Sequence, residues 1–137
     1  MKNVLVLCTG NSCRSQMAHG YLAKYAGDKA TIYSAGVETH GVNPNAIAVM
    51  SNDGVDISNH TSNNIDEYGD VQFDYIITVC DNAKERCPYF PSSAVLFHEN
   101  FPDPAGAQGT PEEIESTFIH TRDLVRTYMK EFVSAYL

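Results

Sequence analysis

Apolar positions along the chain fall into short unbroken runs and longer stretches of helical spacing. Asn3 to Leu7 contains Val4, Leu5, Val6 and Leu7 in succession, the signature of a strand buried on both faces. Thr31-Ile32-Tyr33, Phe73 to Val79 and Ala94 to Phe97 share that character and predict three more strands. Met17, Ala18, Tyr21, Leu22 and Tyr25 recur on one face of a helix expected from about Ser15 to Tyr25, with Gly27 just past its end. Asn43-Pro44 offers a cap and a first-turn proline for a second helix, with Ile47 and Met50 inward and Gly54 closing it. A last helix starts near Pro111 behind Thr110 as cap; Ile114, Phe118, Val125, Tyr128, Phe132 and Tyr136 mark its buried stripe.

Strands alternating with helices predict an α/β fold of three layers, a central four-stranded parallel sheet with helices on both faces. The 137 residues hold no repeat, low-complexity tract or linker, so residues 1–137 are expected to form a single domain. In such sheets ligands collect beyond the carboxyl ends of the strands. Cys8, Cys80 and Asp103 each come at or soon after such an end, which puts three chemically able side chains on one edge.

Composition narrows the chemistry by exclusion. A net charge of −8 with only 9 Lys and Arg does not provide the basic face that nucleic acid requires. The same charge repels anions at long range, so an anionic substrate needs strong local donors. The N-terminal apolar run is too short for a signal-peptide core, and no stretch reaches the roughly 20 apolar residues of a membrane helix. A cytoplasmic location without membrane association is expected, where the 4 cysteines are catalytic or metal-binding rather than structural disulfides. No interface stripe argues against a monomer.

The loop after the first strand reads Cys8-Thr9-Gly10-Asn11-Ser12-Cys13-Arg14-Ser15. Between a strand and a helix, this spacing suits an oxyanion: successive N–H groups curl into a nest and the helix N-terminus adds partial positive charge. Gly10 permits close approach and positive φ, and Asn11 also tolerates the left-handed region. Arg14 presents a planar fork to two oxygens. The same field lowers the pKa of Cys8, and the Ser15 hydroxyl can hydrogen-bond the thiolate, the active form of a cysteine nucleophile. Cys13 is either packing or an accessory thiol.

Cys80 and Cys87 are seven positions apart, so on a regular helix they would lie about 10 Å apart, too far for a disulfide unless the helix unwinds. The polar segment ending in Pro88 permits unwinding; two reduced surface thiols are the plainer reading. The cysteine spacings do not match zinc knuckles. Asp103, in Phe101-Pro102-Asp103-Pro104, is either a general acid toward a leaving oxygen or an ordinary Asp-Pro turn. The five histidines show no metal-ligand spacing.

With these motifs the chain resembles the thioredoxin-coupled arsenate reductases, which share the fold of low-molecular-weight protein tyrosine phosphatases. The carriers are residues 8–18, Tyr33-Ser34-Ala35-Gly36, Glu38 to Pro44, Asp56 to Ser62, the Cys80/Cys87 pair and Asp103-Pro104-Ala105. The resemblance implies that Cys8 attacks arsenate while Arg14 and the amides of Thr9 to Ser15 hold its oxygens, with phosphate or sulfate as mimics, and that Asp103 assists the leaving oxygen. It implies further that Cys80 then attacks Cys8, that Cys87 attacks Cys80, and that thioredoxin reduces the final disulfide, with no tightly bound cofactor. Asn11 is similar to the residue that shapes the family's loop. Some relatives hold potassium beside this loop with acidic ligands; here His19 and Asn63 replace two acids, so weak or absent potassium binding is expected. Pro102 stands where the family often has an Asp. The alternatives are a phosphatase using only Cys8, Arg14 and Asp103, and a non-catalytic oxyanion sensor that binds a partner through the Cys80–Cys87 segment.

Overall fold

The structure, a computed structural model, describes residues 1–80 and 93–137. Its elements are β1 (Lys2–Leu7), α1 (Arg14–Ala26), β2 (Ala30–Ala35), α2 (Pro44–Asn52), β3 (Tyr75–Thr78), β4 (Val95–His98) and α3 (Pro111–Tyr136). Short 3-10 turns occupy Gly27–Lys29, Ile65–Tyr68 and Pro104–Gly106. The strands form one four-stranded sheet in the order β2-β1-β3-β4, and every pairing is parallel. The central strand β1 is therefore covered on both sides, which explains its unbroken apolar run.

Alternation along β1 divides the core. Val4 and Val6 face a large cluster holding Met17, Tyr21 and Leu22 of α1, Val49 and Met50 of α2, and Phe118, Val125, Met129 and Phe132 of α3. Leu5 and Leu7 face a smaller one with Ile76 and Phe73, closed by Ile65 and Tyr68 of the 3-10 turn and by Val71. Helical turns thus cover both faces, the three α-helices of the described residues lying on one. No helix among the described residues is long and apolar enough to cross a membrane.

Several expected boundaries shift for local reasons. The strand expected over Phe73 to Val79 is regular over Tyr75–Thr78, with Asp74 and Val79 N–H still donating to the Asn3 and Leu7 carbonyls. Phe73 instead packs its ring edge-on against Tyr33 and Tyr68, and the β4 ladder begins when Val95 N–H donates to the Asp74 carbonyl at 3.0 Å. The inner face of α2 is Ala46, Val49 and Met50, with Ile47 only partly buried. On α3, Thr121, Met129 and Val133 join the buried stripe, while Tyr136 is 48% exposed. The caps at Asn43 and Thr110 form as expected, Thr110 within a capping box closed by Glu113.

A polar brace ties the three helices together. The buried Tyr21 of α1 donates to Asp53 Oδ2 at 2.7 Å, and Arg126 of α3 reaches the same oxygen at 2.8 Å. Asp53 caps the C-terminus of α2, so one carboxylate receives both neighbouring helices. Tyr21→Phe is expected to destabilise the protein by about 1.5 kcal/mol, the scale of a hydrogen bond to a charged group. Urea unfolding checks it, and an unchanged midpoint would show that the brace contributes nothing.

Candidate active site

β1 ends at Leu7, and the chain from Cys8 to Cys13 curls before α1 begins at Arg14. Cys8 N–H still donates to the Ala35 carbonyl of β2 at 3.1 Å, so the nucleophile candidate is anchored at the sheet edge. Beyond it the carbonyls turn away one after another. The Thr9 carbonyl accepts from Glu38 N–H, that of Gly10 from His40 N–H, and that of Ser12 from Asn43 N–H, at 3.0 to 3.2 Å. The Asn11 carbonyl accepts from Gln16 Nε2 at 3.0 Å. A trans peptide points its N–H opposite to its carbonyl, so the amides of Gly10, Asn11, Ser12 and Cys13 are left turned the other way. This is a nest of donors shaped for an anion.

Asn11 makes the curl possible. It is the one non-glycine residue with positive φ among the described residues, at 45°. Its buried side chain is held from both ends: Oδ1 accepts from Ser15 Oγ at 2.8 Å and Gln16 Nε2 at 3.1 Å, while Nδ2 donates to the Ser34 carbonyl at 3.2 Å and the Asn63 carbonyl at 3.4 Å. Two expectations change here. The left-handed position belongs to Asn11 rather than Gly10, whose missing Cβ instead leaves room for the His40 ring, 2.9 Å from where that atom would lie. Ser15 gives its hydroxyl hydrogen to Asn11 and so stabilises the loop, not the thiolate.

The loop encloses a pocket of about 180 Å³ lined by Cys8, Thr9, Gly10, Ser12, Cys13 and Arg14, with His40, Asp103 and Ala105 opposite. Arg14 is buried and fixed, its Nη1 donating to the Phe101 carbonyl at 3.3 Å and its Nη2 lying 3.5 Å from Asp103 Oδ2. Asp103 is both a turn residue and a pocket residue: Oδ1 caps the 3-10 turn by accepting from Ala105 N–H at 3.0 Å, and its other oxygen faces Arg14. Its loop is pinned by buried Phe101 and Pro104 and by Thr121 of α3, which donates to the Pro102 carbonyl at 3.2 Å. Burial, with Asp103 nearby, pushes the Cys13 thiol up. Cys13 is a buried thiol of the core cluster that also lines this pocket.

Cys80 comes two residues after Thr78, the partner of Leu7 in the β1–β3 ladder, and Val79 N–H extends that ladder by donating to the Leu7 carbonyl at 3.0 Å. It is fully buried and belongs to the same cluster as Cys8 and Cys13. Cys80 is disulfide-bonded, whereas Cys8 and Cys13 are thiols. Cys87 lies outside the described residues. Sequence reasoning missed Gln16, Gly36, His40 and Thr121. Gln16, Gly36 and His40 each lay inside a quoted motif without a role assigned, and Thr121 had no signal; at Gly36 a Cβ would lie 2.5 Å from the Thr9 carbonyl oxygen and 2.9 Å from Asn11 N.

His19 and Asn63, which stand at the two replaced acids, are engaged with neighbours. His19 Nδ1 contacts Ser34 Oγ at 2.9 Å, and its ring lies against that of His60 at a tilt of 38°. Asn63 accepts from Thr61 Oγ1 and donates to Glu67 Oε1, so its polar atoms are engaged locally. Among the described residues, no group of three or more His, Cys, Asp or Glu is placed to hold a metal.

A cysteine at the end of a central parallel strand, an arginine fork six residues on and a carboxylate across the pocket define an enzyme site for a tetrahedral oxyanion. The profile of the family described as low molecular weight phosphotyrosine protein phosphatase matches residues 3–135. The chain belongs to that family. It is 47% identical over 131 residues to the arsenate reductase of Bacillus subtilis strain 168, covering 96% of this chain and 94% of the relative. Among solved structures, an arsenate reductase in the phosphate binding state superposes with a TM-score of 0.82 at 29% identity, covering 100% of both chains. An arsenate reductase in the oxidized state reaches the same TM-score of 0.82 at 28% identity, covering 98% of each.

Two predictions follow from this geometry. Gly36→Ala forces a methyl group against the loop backbone and is expected to weaken phosphate binding at least tenfold while the protein stays folded, as isothermal titration together with circular dichroism would read. Burial, with His60 alongside, lowers the pKa of His19 to about 4. The unfolded chain then binds the extra proton between about pH 6.5 and 4, so stability is full above 6.5 and falls as pH drops toward 4, by up to about 3 kcal/mol. Urea midpoints across that window should lose most of this slope in His19→Asn.

Proposed function

We propose that this chain reduces arsenate to arsenite through Cys8, Cys80 and Cys87, with thioredoxin as external reductant. The Cys8 thiolate attacks arsenic while Arg14 and the loop amides hold the oxygens, and phosphate or sulfate bind the same nest as unreactive mimics. One arsenate oxygen leaves as water with a proton from Asp103. Cys80 attacks Cys8 Sγ; the electron pair of the sulfur–arsenic bond passes to arsenic, which leaves as arsenite, and a Cys8–Cys80 disulfide remains. Cys87 attacks Cys80, restoring Cys8 and leaving a Cys80–Cys87 disulfide for thioredoxin to reduce. The enzyme works as a cytoplasmic monomer without a tightly bound cofactor.

The observation that carries this reading is Cys80, a fully buried cysteine in the cluster of Cys8, one strand over and just past the matched end of the ladder. The arsenate reductases at 47% identity support it. A phosphatase needs only Cys8, Arg14 and Asp103, which family membership also favours.

Arsenate-dependent NADPH oxidation with thioredoxin and thioredoxin reductase separates the two. Sustained turnover is expected in the wild type, with about one turnover in Cys87→Ser, because that variant stops at the first disulfide. No arsenate turnover in the wild type, alongside release of phenol from an aryl phosphate, would sink the reductase and leave Cys80 and Cys87 without a catalytic part.

A further inference from the structure

The solvent side of the anion pocket carries a residue that the steps above do not use. His40 lines the pocket together with Cys8, Arg14 and Asp103. Its N–H donates to the Gly10 carbonyl at 3.2 Å, so its backbone follows the loop. Its ring lies against Gly10, where a Cβ would come 2.9 Å from Nδ1. On the other nitrogen, Nε2 lies 2.8 Å from Glu38 Oε2. A carboxylate only accepts, so the ring hydrogen sits on Nε2 and is donated to Glu38. Glu38 is itself tied to the loop, its N–H donating to the Thr9 carbonyl at 3.1 Å. The two side chains are 58% and 59% exposed, which places them at the mouth of the pocket and not in its floor. A pair so exposed adds little to stability, so removing it is expected to leave the fold intact.

Chemistry at the floor of the pocket decides what the mouth must pass. A nucleophile attacking a tetrahedral centre displaces the oxygen in line with it on the far side. In an inorganic oxyanion that oxygen is bare or carries a hydrogen. In an aryl ester the same oxygen carries the ring, which has to leave the pocket past His40, Asp103 and Ala105. The enclosed space is about 180 Å³, below the roughly 300 Å³ at which pockets enclose organic ligands. Neither large side chain at the mouth is loose. Asp103 is held by Arg14 and by Ala105 N–H, and the His40 ring by Glu38. Ala105 offers only a methyl group, which gives an aryl ring no face to rest on.

We infer that His40, oriented by Glu38, determines specificity: its ring narrows the mouth so that the pocket takes inorganic tetrahedral oxyanions and turns away aryl phosphate esters. The discrimination works by obstruction on the leaving-group side. Arg14 and the loop amides hold the oxyanion core in either case, so they cannot supply it. The inference rests on the oxyanion reading of the pocket given above and not on the cysteine relay, so failure of the relay leaves it standing.

The test compares two ligands of the intact protein by isothermal titration, inorganic phosphate and phenylphosphonate, whose ring stands in place of the leaving oxygen. Melting temperatures are taken alongside. The readout is the ratio of the two Kd values, because a change of charge at the mouth shifts both anions together and cancels in the ratio. In the wild type phenylphosphonate is expected to bind about tenfold more weakly than phosphate. His40→Ala is expected to bring that ratio down about fivefold, and Glu38→Ala, which keeps the ring but releases it, about twofold. A purely structural part for His40 would move both Kd values and leave their ratio alone. A wild type that binds phenylphosphonate as tightly as phosphate overturns the inference, as does an unchanged ratio in a folded His40→Ala. Should His40→Ala not fold, an unchanged ratio in Glu38→Ala overturns it. A wild type that binds neither ligand overturns the oxyanion reading itself, and the inference falls with it.

Discussion

The site depends on one backbone conformation. Asn11 sits at a φ of 45°, a region that costs a non-glycine residue about 1 kcal/mol or more. The cost is offset locally, because the same side chain satisfies buried groups from α1, from β2 and from the chain after α2. Glycine would enter the left-handed region more easily but could bond to none of them. With Asn11 turned, the carbonyls of Thr9 to Ser12 find partners outside the loop, and the amides remain for the pocket. The groups that donate to those carbonyls, the N–H of Glu38, His40 and Asn43 and the Gln16 amide, therefore set the loop amides through the backbone.

Local patterning made the layers and the nucleophile legible. An unbroken run of four apolar residues before Cys8 could only be a central strand, and a cysteine at its end falls on the ligand edge of a parallel sheet. Arg14 and Asp103 were readable as types, and the structure supplies what spacing could not: a 3.5 Å approach between residues 89 positions apart in the chain. The contacts of Gln16 and His40, though both lie in quoted motifs, and the part of Thr121 were not readable. Each acts through a backbone carbonyl or a neighbouring side chain brought close by the fold, and neither periodicity nor motif spacing registers such contacts. Ser15 shows the same limit, since its position beside the loop was plain while the identity of its acceptor was not.

Electrostatics divides between two length scales. At long range the chain repels the anions it is built to hold, with a net charge of −8. At short range a buried guanidinium and a nest of amides outweigh that repulsion, because both act within the few ångströms where screening by water is weakest. Asp103 moderates the same field. Its carboxylate faces Arg14 and touches the pocket, so an incoming anion and Asp103 compete for one cation.

The same loop can serve two reactions, and in the proposed relay the cysteine beyond the neighbouring strand separates them. A thiolate on a tetrahedral centre with an acid across the pocket leads either to hydrolysis of the adduct by water or to its displacement by another sulfur. Water must enter the pocket from solvent. The sulfur of the proposed relay belongs to Cys80, two residues past β3, and the parallel ladder brings that strand end to the edge where Cys8 stands. Cys8 and Cys80 are both buried in one cluster, so the proposed relay asks for a sulfur already inside the protein, where hydrolysis asks for a water brought to the adduct.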